Sequence, residues 1–513
     1  MKIPFQTGPQ TAPDIGGKVL ARNTVLNFIG QVAPLPVSIA ATPYMIRHLG
    51  PDRFGLLALV WVVIGYFALF DLGLGPATTK FVAELLGKGG VEKLPAFVWT
   101  AVATESGTGV VAGILLAAAS PMLVHRLLKI PPSLHAEALW VFLTLAASFP
   151  VTFATGSLRG VLAASQRFDL LITIGIPLGI LNALVPAGAL ALGFHLPGIA
   201  ALLVLCAAAA FAAHAFFCVR LYPTLARGCA FTCSLVRPLL GFGGWVTVSS
   251  IVNPVLVYFD RFLLGALLSI AAVGFYTPPY MISTKLAIIA GSLGVTLFPA
   301  FSTSAGRGDS RWISSAWVRS IKYLLLIVGP PALVLLFFAR PILALWVGAR
   351  FAAEGTAVLQ ILAAGALVNS LATVPYNLLQ ALGRPDLTAK FHLLEVPIHV
   401  AFAWLCVAQF GLTGAAFAWT ARVTIDLLLL TLAAGWITRT SPRLLLARDM
   451  GRCLATLGLL GASFSILEGF SHALLTQALF VCVLTSGFLL AAYCYVLDLD
   501  EKGQIRLWLK VPR

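Results

Sequence analysis

FGLLALVWVVIGYFALFDLGLGPATTK, residues Phe54 to Lys80, is the stretch that decides the fold class. It opens with an uncharged apolar run, and at about 1.5 Å per residue a helix of that run covers most of a bilayer core of roughly 30 Å. Runs of this kind recur along all 513 residues. Because they are continuous rather than alternating, they indicate transmembrane helices and not the strands of a β-barrel.

The composition agrees with this interpretation. Hydrophobic residues make up 59% of the chain, charged residues 10%, and the mean hydropathy is +0.95. A soluble protein carries about 25% charged residues. The first 20 residues are polar, and they do not predict a cleavable signal peptide. The eight cysteines are scattered and predict neither a disulfide framework nor a zinc site. The chain is therefore predicted to be an all-α polytopic membrane protein.

Hydropathy and helix breakers predict about fourteen spans. Their approximate limits are 24–47, 54–80, 95–120, 137–160, 169–193, 196–220, 239–265, 271–302, 315–338, 356–381, 387–409, 412–437, 450–467 and 472–496. Of the 34 Lys and Arg residues, 25 fall on the side that holds both termini and six on the other side. This asymmetry predicts cytoplasmic termini, and it explains the net charge of +15 without a nucleic-acid partner.

The chain resembles itself at an offset of about 216 residues. The segment AASQRFDL (163–170) matches QALGRPDL (380–387), and LPGIAA (196–201) matches LTGAAF (412–417). A six-span unit has an even number of crossings, so the two copies are parallel repeats around a central path. The predicted domains are a cytoplasmic segment (1–22), an N-lobe (23–222), a linker (223–238), a C-lobe (239–440), and two further spans with a cytoplasmic tail (441–513).

Charged residues inside the spans are candidates for a substrate path, because burying a charge in a membrane is costly. Arg47, Arg261 and Lys285 lie on the helices that open the two lobes. The predicted depth places Arg47 and Arg261 near the outer rim and Lys285 near the middle, so Lys285 is the first candidate for anion contact. For Arg47, the favoured explanation is that its long side chain reaches the membrane interface. Asp260 adjoins Arg261 but points about 100° away, so the two need not pair.

The segment DLGLGP (71–76) has two explanations. Asp71, Gly73 and Gly75 are candidates for a gate, since glycine permits bending and proline removes a helical hydrogen bond. Alternatively, Asp71 caps a helix after a break. A phosphate-binding loop is not predicted, because no strand precedes the segment and no Gly-Lys-Ser follows it.

KFHLLEVPIH (390–399) places His392, Glu395 and His399 within about 60° of one helical face. A metal site is not predicted here, because no second helix offers obvious matching ligands. The favoured interpretation is a polar seam with Arg422 and Asp426, which are themselves spaced i,i+4. Proton coupling through Glu395 or Asp426 is the alternative.

Residues Asn23 to Leu85 resemble the polysaccharide flippases of the multidrug/oligosaccharidyl-lipid/polysaccharide (MOP) exporter superfamily. These proteins open with a polar Asn/Gly span, then Arg-x-Leu-Gly-Pro-x-x-Phe/Tyr-Gly, then a span ending Asp-Leu-Gly-Leu-Gly. The matching residues are Arg47, Leu49, Gly50, Pro51, Phe54, Gly55 and Asp71 to Gly75. Residues Arg261 to Gly265 resemble the corresponding segment of the second lobe.

The resemblance implies a transporter of Wzx type that moves undecaprenyl-diphosphate-linked oligosaccharide to the outer leaflet by alternating access, for O-antigen, capsule or exopolysaccharide synthesis. Lys285, Arg261 and Arg47 would then contact the diphosphate. Asp71, Gly73, Gly75, Asp260, Glu395 and Asp426 are the gate or coupling candidates. The candidates for lining the glycan path are Asn27, Gln31, Asn253, Tyr258, Tyr276 and Tyr280.

Further expectations follow from the same resemblance. The protein is expected in the bacterial inner membrane as a monomer, beside a polysaccharide polymerase and chain-length machinery. It would need no cofactor or metal, and a proton or sodium gradient is the expected energy source if one is used. A cation-coupled multidrug antiporter is the first alternative. A membrane glycosyltransferase or polymerase is less favoured because the predicted outer loops are short.

Overall fold

In a computed structural model, the described residues are 29–69, 74–87, 90–226, 231–236, 256–306, 309–440, 448–470, 474–498 and 501–502. All regular structure within these ranges is helical, which confirms the predicted all-α class. The chain divides into two compact units, Met1–Gly274 and Phe275–Arg513. The predicted lobe and linker boundaries remain a prediction.

The first unit contains seven labelled helices. They are α1 (Leu35–Leu69), α2 (Leu74–Gly87), α3 (Leu94–Met122), α4 (His135–Ala164), α5 (Phe168–Ala191), α6 (Leu196–Leu221) and α7 (256–267). The next helix, α8 (Ile270–Ser283), contains the boundary between the two units.

The second unit continues with seven more helices. They are α9 (Leu286–Gly306), α10 (Ser310–Phe337), α11 (Ala339–Val347), α12 (Ala349–Ala381), α13 (Pro385–Thr438), α14 (Arg448–Phe470) and α15 (Leu474–Ala491).

Nine helical segments within the described ranges are long and apolar enough to cross a membrane. Several present large apolar side chains outward: Leu115 is 65% exposed, Leu205 64% and Trp436 76%. Such side chains suit contact with lipid, where the surrounding medium is itself apolar. The count of about fourteen crossings remains a prediction.

Two glycines mark where predicted neighbouring spans separate. Gly50 (φ 68°) divides α1, and Gly411 (φ 60°) divides α13. A positive φ reverses the chain locally, and glycine adopts it without steric penalty. Both turns lie between spans predicted from the sequence, at 47–54 and 409–412. Each long helix therefore consists of two helical segments joined at a glycine.

Small residues allow α3 and α4 of the first unit to approach closely. Gly109 and Gly113 lie one turn apart on α3 and face α4. A Cβ at Gly109 would lie 2.7 Å from the Phe149 carbonyl oxygen, and one at Gly113 would lie 2.5 Å from the Ala146 oxygen. This is the small-x-x-x-small packing that lets membrane helices approach closely. Glu105, on the same helix, accepts a 2.8 Å hydrogen bond from the Ser157 backbone N–H of α4.

The two repeat segments adopt similar turns. Arg167 forms a 2.8 Å ion pair with Asp169, and Arg384 forms a 3.0 Å ion pair with Asp386. In each case the residue before the arginine has a positive φ, 55° at Gln166 and 72° at Gly383. Each turn then leads directly into a helix, α5 or α13. This shared local geometry supports the internal repeat proposed from the sequence.

Candidate functional site

The helix of the predicted span 271–302 is interrupted at Thr284 and Lys285. Helix α8 ends at Ser283 and α9 begins at Leu286. Pro278 and Pro279 lie inside α8, and proline both lacks an N–H donor and clashes with the preceding turn. Helix α8 is continuous through both prolines and ends after them, so the missing N–H donors affect the turn before Pro278 and not the break itself.

Hydrogen bonds between residues three apart, instead of the four of an α-helix, bridge the break. The Lys285 N–H donates to the Ile282 oxygen at 3.1 Å, and the Ile288 N–H donates to the Lys285 oxygen at 3.2 Å. Thr284 Oγ1 donates to the Tyr280 oxygen at 2.8 Å, which satisfies a carbonyl in the last turn of α8. The Lys285 side chain is exposed. It stands at the N-terminus of the 21-residue helix α9, where the helix dipole favours negative charge. An exposed ammonium and a positive helix end are both features that favour an anion.

Aromatic side chains lie on the turn before the break. Tyr276 stacks on Tyr280, with ring centroids 6.1 Å apart, and Tyr280 meets Trp419 of α13 edge to face at 6.3 Å. Tyr276 is fully buried, whereas Tyr280 is half-buried. The packing thus leaves Tyr280 as the more accessible of the two predicted glycan-lining residues. It also adds Trp419, which the sequence did not single out.

Arg261 has a different environment from Lys285. Its guanidinium lies 3.6 Å from Asp260 and 5.5 Å from the Tyr258 ring, and Arg261 is 3% exposed. The Asp260 and Arg261 side chains therefore form an ion pair, which the sequence did not require. The Asp260 carboxylate also accepts a hydrogen bond from the backbone N–H of Arg261. Arg47 is exposed, and it lies one turn before Gly50.

Several predicted residues lie outside the described part of the chain or on its edge. Asp71, Gly73, Asn27 and Asn253 lie outside the described residues. Gln31 is described and exposed.

Gly75 lies in the first turn of α2 and is buried. Its carbonyl oxygen would lie 2.7 Å from a Cβ placed on Gly160 of α4. Close packing of α2 on α4 is thus one reason for small residues at this point.

A buried polar cluster joins the two halves of α13. Arg422 lies 3.4 Å from Glu395, and the His392 ring lies 3.7 Å from Asp426. Potential ligand atoms of His392, Glu395 and Asp426 all lie within 4.8 Å of one another. The predicted polar seam is therefore present, with Arg422 paired to Glu395 across the hairpin rather than to Asp426. The expectation that no second helix offers matching ligands is wrong, because the turn at Gly411 brings Asp426 opposite His392.

The cluster is deeply buried and not fully hydrogen-bonded. Glu395 and His399 are each 4% exposed, and Asp426 is 7% exposed. Glu395 Oε1, His399 Nδ1, Arg422 Nε and Asp426 Oδ1 have no hydrogen-bond partner among the described residues. With both carboxylates ionised and both histidines neutral, Arg422 leaves the cluster one negative charge in excess. A proton or another cation would neutralise it, so the cluster can hold one reversibly.

Tyr376 and Asn377 are two residues that sequence reasoning missed. The Tyr376 ring stacks on His392 at 6.3 Å with an interplanar angle of 13°, and the Asn377 amide lies against Gly294 of α9. Both belong to α12, so one turn of this helix contacts both α9 and the buried cluster. A signal was available, because Pro375 and this polar pair interrupt an otherwise apolar run.

Known proteins provide independent information. A family model described as polysaccharide biosynthesis protein matches residues 20–305. A Shigella flexneri protein named "Putative O-antigen transporter" is 27% identical over 414 residues, which cover 80% of this chain and 96% of that protein.

Two solved structures are similar in fold. The lipid II flippase MurJ in an inward closed conformation aligns with a TM-score of 0.68 at 13% identity, over 91% of this chain and 98% of that one. An inward-facing multidrug resistance MATE family transporter of the MOP superfamily aligns with a TM-score of 0.69 at 14% identity, over 79% of this chain and 94% of that one. The fold is therefore that of a multi-pass membrane transporter. Because the family model matches more than half of its residues, the chain belongs to the polysaccharide biosynthesis protein family.

Proposed function

We propose that this protein is a flippase for polyprenyl-diphosphate-linked oligosaccharides and moves them from the cytoplasmic to the outer leaflet by alternating access. The observation that carries the proposal is Lys285, an exposed cation at the break between α8 and α9. The similarity over 80% of the chain to the Shigella flexneri protein named "Putative O-antigen transporter" supports the substrate class. The proposed location is the bacterial inner membrane, with both termini in the cytoplasm.

The diphosphate group determines where the head of the substrate binds. A diphosphate in a membrane needs cationic and hydrogen-bonding contacts in place of water. Lys285 provides an ammonium, and the N-terminus of α9 provides a favourable dipole. The polyprenyl chain needs no such contact, because it can remain in lipid. Translocation then requires moving only the polar head through the protein.

The other two predicted cations have different supporting roles in this proposal. Arg261 is buried against Asp260 and Tyr258, so it would reach a diphosphate only after a rearrangement of that pair. Arg47 is exposed and is available for a contact near the predicted outer rim. We therefore assign the diphosphate to Lys285 in the resting state, and to Arg47 or Arg261 later in the cycle.

The glycan would be bound by aromatic and amide side chains. Tyr280 and Trp419 form an edge-to-face pair near Lys285, and such rings offer apolar faces together with polar edges. Tyr258, Tyr276, Gln31, Asn27 and Asn253 remain candidates for the rest of the path. This assignment leaves the glycan itself open among O-antigen, capsule and exopolysaccharide units.

The buried cluster of α13 is the proposed coupling site. Protonating Glu395 or Asp426 removes the excess negative charge and weakens the attraction for Arg422. Trp419 lies one helical turn before Arg422 on α13, and its ring contacts Tyr280 of α8. This aromatic contact connects the coupling site to the region around Lys285. Asp71, Gly73, Gly75 and Asp260 complete the proposed gate and coupling set.

The test is reconstitution of the purified protein into liposomes with a labelled lipid-linked oligosaccharide. Outer-leaflet label would be measured after the protein is added, and a drug-efflux assay would be run on the same vesicles. We expect Lys285→Ala to reduce flipping at least tenfold and Lys285→Arg to retain part of it. Lys390→Ala is the matched control, because Lys390 is exposed and bonds only to Asp386 among the described residues.

Two outcomes would oppose the proposal. Flipping by the Lys285→Ala protein at the wild-type rate would remove the diphosphate assignment. Drug efflux without oligosaccharide flipping would favour the multidrug antiporter instead. Polymerase and chain-length partners would be sought separately by crosslinking in cells, and oligomeric state by mass measurement in detergent, where a monomer is expected.

A further inference from the structure

The second unit contains a cavity of about 800 Å³ that is distinct from the Lys285 region. It lies where α10 begins, α13 ends and α14 begins, beside Asp498 of the C-terminal tail. The Lys and Arg asymmetry of the sequence assigns these four chain segments to the cytoplasmic side. The cavity therefore opens at the level of the inner-leaflet head groups rather than in the middle of the membrane.

Its lining is strongly cationic. The described lining residues include Arg311, Arg319, Arg439 and Lys322, against one carboxylate, Asp498. Lys322 is already neutralised, because its Nζ lies 2.8 Å from the Glu501 carboxylate, and both side chains are 4% exposed. The three arginines exceed the single aspartate by two positive charges. A cavity with this lining attracts an anion that carries about two negative charges, or one anion and further counter-ions.

Hydroxyl groups add neutral hydrogen-bonding capacity to the same wall. Ser314 Oγ lies 2.6 Å from Thr440 Oγ1, and Thr438 Oγ1 lies 2.8 Å from the same atom. Ser310 lies with Arg311 in the first turn of α10, which Asp309 caps by accepting a 3.0 Å bond from the Trp312 N–H. Serine and threonine hydroxyls both donate and accept, so they can complete the contacts of an oxyanion whose charge is met by arginine.

The cavity also has an apolar side. Val318, Ile437 and Met450 line it together with the charged residues. A small soluble anion has no apolar part that could contact such a surface, whereas a lipid presents a charged head and a hydrocarbon chain side by side. The combination of arginines, hydroxyls and aliphatic wall is therefore matched to an amphiphile with an anionic head.

We propose that this cavity binds the phosphate-bearing head group of a membrane lipid from the cytoplasmic leaflet. Arg311 and Arg319 contact the phosphate oxygens, since guanidinium groups bind phosphate through paired N–H donors. Ser314 and Thr438 donate their hydroxyl protons to the Ser310 and Ala434 carbonyl oxygens, so they accept hydrogen bonds from head-group hydroxyls. Two lipids of this leaflet share the required chemistry, an anionic phospholipid and the polyprenyl diphosphate carrier.

The inference stands independently of the proposed transport activity. A lipid at this site would hold the starts of α10 and α14 and the end of α13 together. It would not need to pass through the protein. The binding site can therefore exist whether or not Lys285 contacts a transported diphosphate, and the two proposals are tested by different residues.

The experiment uses the full-length protein in neutral detergent, with lipid binding measured by native mass spectrometry. Dioleoyl phosphatidylglycerol, a polyprenyl diphosphate and the zwitterionic dioleoyl phosphatidylcholine are added in separate arms. The test variant is Arg311→Gln with Arg319→Gln, and a second variant carries lysine at both positions. Arg452→Gln is the control, because it removes an exposed arginine of α14 that does not line the cavity.

We expect phosphatidylglycerol or polyprenyl diphosphate to bind the wild-type protein at least tenfold more tightly than phosphatidylcholine. The double glutamine variant should lose about a hundredfold in affinity, roughly tenfold for each charge-assisted contact removed. The double lysine variant should lose less, and Arg452→Gln should bind as the wild type does.

The two lipid arms separate the possible sources. A preference for phosphatidylglycerol identifies a structural phospholipid site, and a preference for polyprenyl diphosphate identifies a docking site for the carrier. Equal binding of all three lipids to the wild type overturns the inference, as does unchanged affinity in a correctly folded double glutamine variant. Loss of phosphatidylglycerol binding in the double glutamine variant concerns only this cavity, and loss of flipping in Lys285→Ala concerns only the transport proposal.

Discussion

The availability of a charged side chain to a ligand depends, in this protein, more on its neighbours than on its residue type. Lys285 is exposed at a helix break, whereas Arg261 is 3% exposed and lies 3.6 Å from Asp260. A charge that is already paired and desolvated contributes to the packing of its own unit, and a charge without such compensation is available to a ligand. The predicted depth in the membrane already ranked Lys285 first for anion contact, and the surroundings of the two cations support the same order.

The buried Asp260–Arg261 pair predicts an asymmetric response to mutation. Asp260→Asn alone should lower the stability of the first unit by about 3 kcal/mol, because Arg261 would remain buried without its counter-charge. The combined Asp260→Asn and Arg261→Gln variant should be more stable than that single variant. Thermal unfolding in detergent would measure both. A double variant less stable than Asp260→Asn would contradict the assignment of a compensating pair.

Glu501 predicts a pH-dependent attachment of the C-terminal tail. Burial alone would raise the pKa of its carboxyl group, but hydrogen bonds from Lys322, Tyr323 and the Asp498 N–H outweigh it and hold the pKa below 4.5. Because the pKa is lower when the tail is docked, this stabilisation is fully present above pH 4.5 and is lost as the pH falls through the docked-state pKa.

The measurement is hydrogen exchange of residues 492–498, corrected for the intrinsic rate at each pH. Protection should fall between pH 6 and pH 3, and Glu501→Gln should reproduce the unprotected state at pH 7. Lys390→Gln should leave protection unchanged, since that residue bonds to Asp386 instead. Full protection in the Glu501→Gln protein would show that other contacts hold the tail.

At the scale of helices, proline and glycine determine where the membrane segments bend and where they touch. Pro278 and Pro279 precede the break at Lys285, Gly411 turns the two halves of α13 together, and Gly109 lets α3 lie against α4. The two glycine effects follow from backbone chemistry, namely a permitted positive φ at Gly411 and a missing Cβ at Gly109. The turn at Gly411 matters most for function, because it assembles the His392–Glu395–Asp426 cluster from two spans.

The close contact of α3 with α4 predicts that alanine at Gly109 and alanine at Gly107 affect the stability of the first unit very differently. Gly109→Ala should destabilise the first unit by about 1–3 kcal/mol, since the added Cβ would lie 2.7 Å from the Phe149 oxygen and the helices would have to separate. Gly107→Ala is the control, because a Cβ there meets nothing within 4 Å. Thermal unfolding in detergent would compare the two. Equal effects would mean that the close approach is not limiting.

At the scale of the whole molecule, membrane orientation follows from the distribution of Lys and Arg. Twenty-five of the 34 lie on the predicted cytoplasmic side, so the predicted orientation does not depend on the charges of any single loop. The same distribution places the cationic cavity at the inner leaflet. Orientation therefore links the lipid-binding inference to the direction of transport.

Cysteine labelling would test this orientation in a background in which all eight native cysteines are replaced. A cysteine at Ser310 should react with impermeant reagents only from the cytoplasm, and one at Ala349 only from outside, since both positions are exposed. Ala352, in the same predicted outer segment, is 3% exposed and would label poorly in either case. Labelling of Ser310 from outside would reverse the model of both termini in the cytoplasm.

The sequence was sufficient for the properties that each segment has on its own. Apolar length against bilayer thickness predicted membrane helices, and the glycine turns at 50 and 411 lie where the predicted spans separate. The motif of residues 47–75 also indicated the family, because turns and helix ends require particular residue types such as glycine and proline. Arg167 and Asp169 matched Arg384 and Asp386 in sequence, and both pairs form similar turns.

Tertiary structure decided which side chains meet. Hydropathy gave one span where the helix breaks between Ser283 and Leu286, because an apolar average carries no information on the backbone conformation of two residues. Asp426 became a partner of His392 only through the rotation of two helices about Gly411, and the spacing along either helix does not contain that angle. The cationic cavity likewise combines Arg311, Arg319 and Arg439, which come from separate helices, so only their packing reveals it.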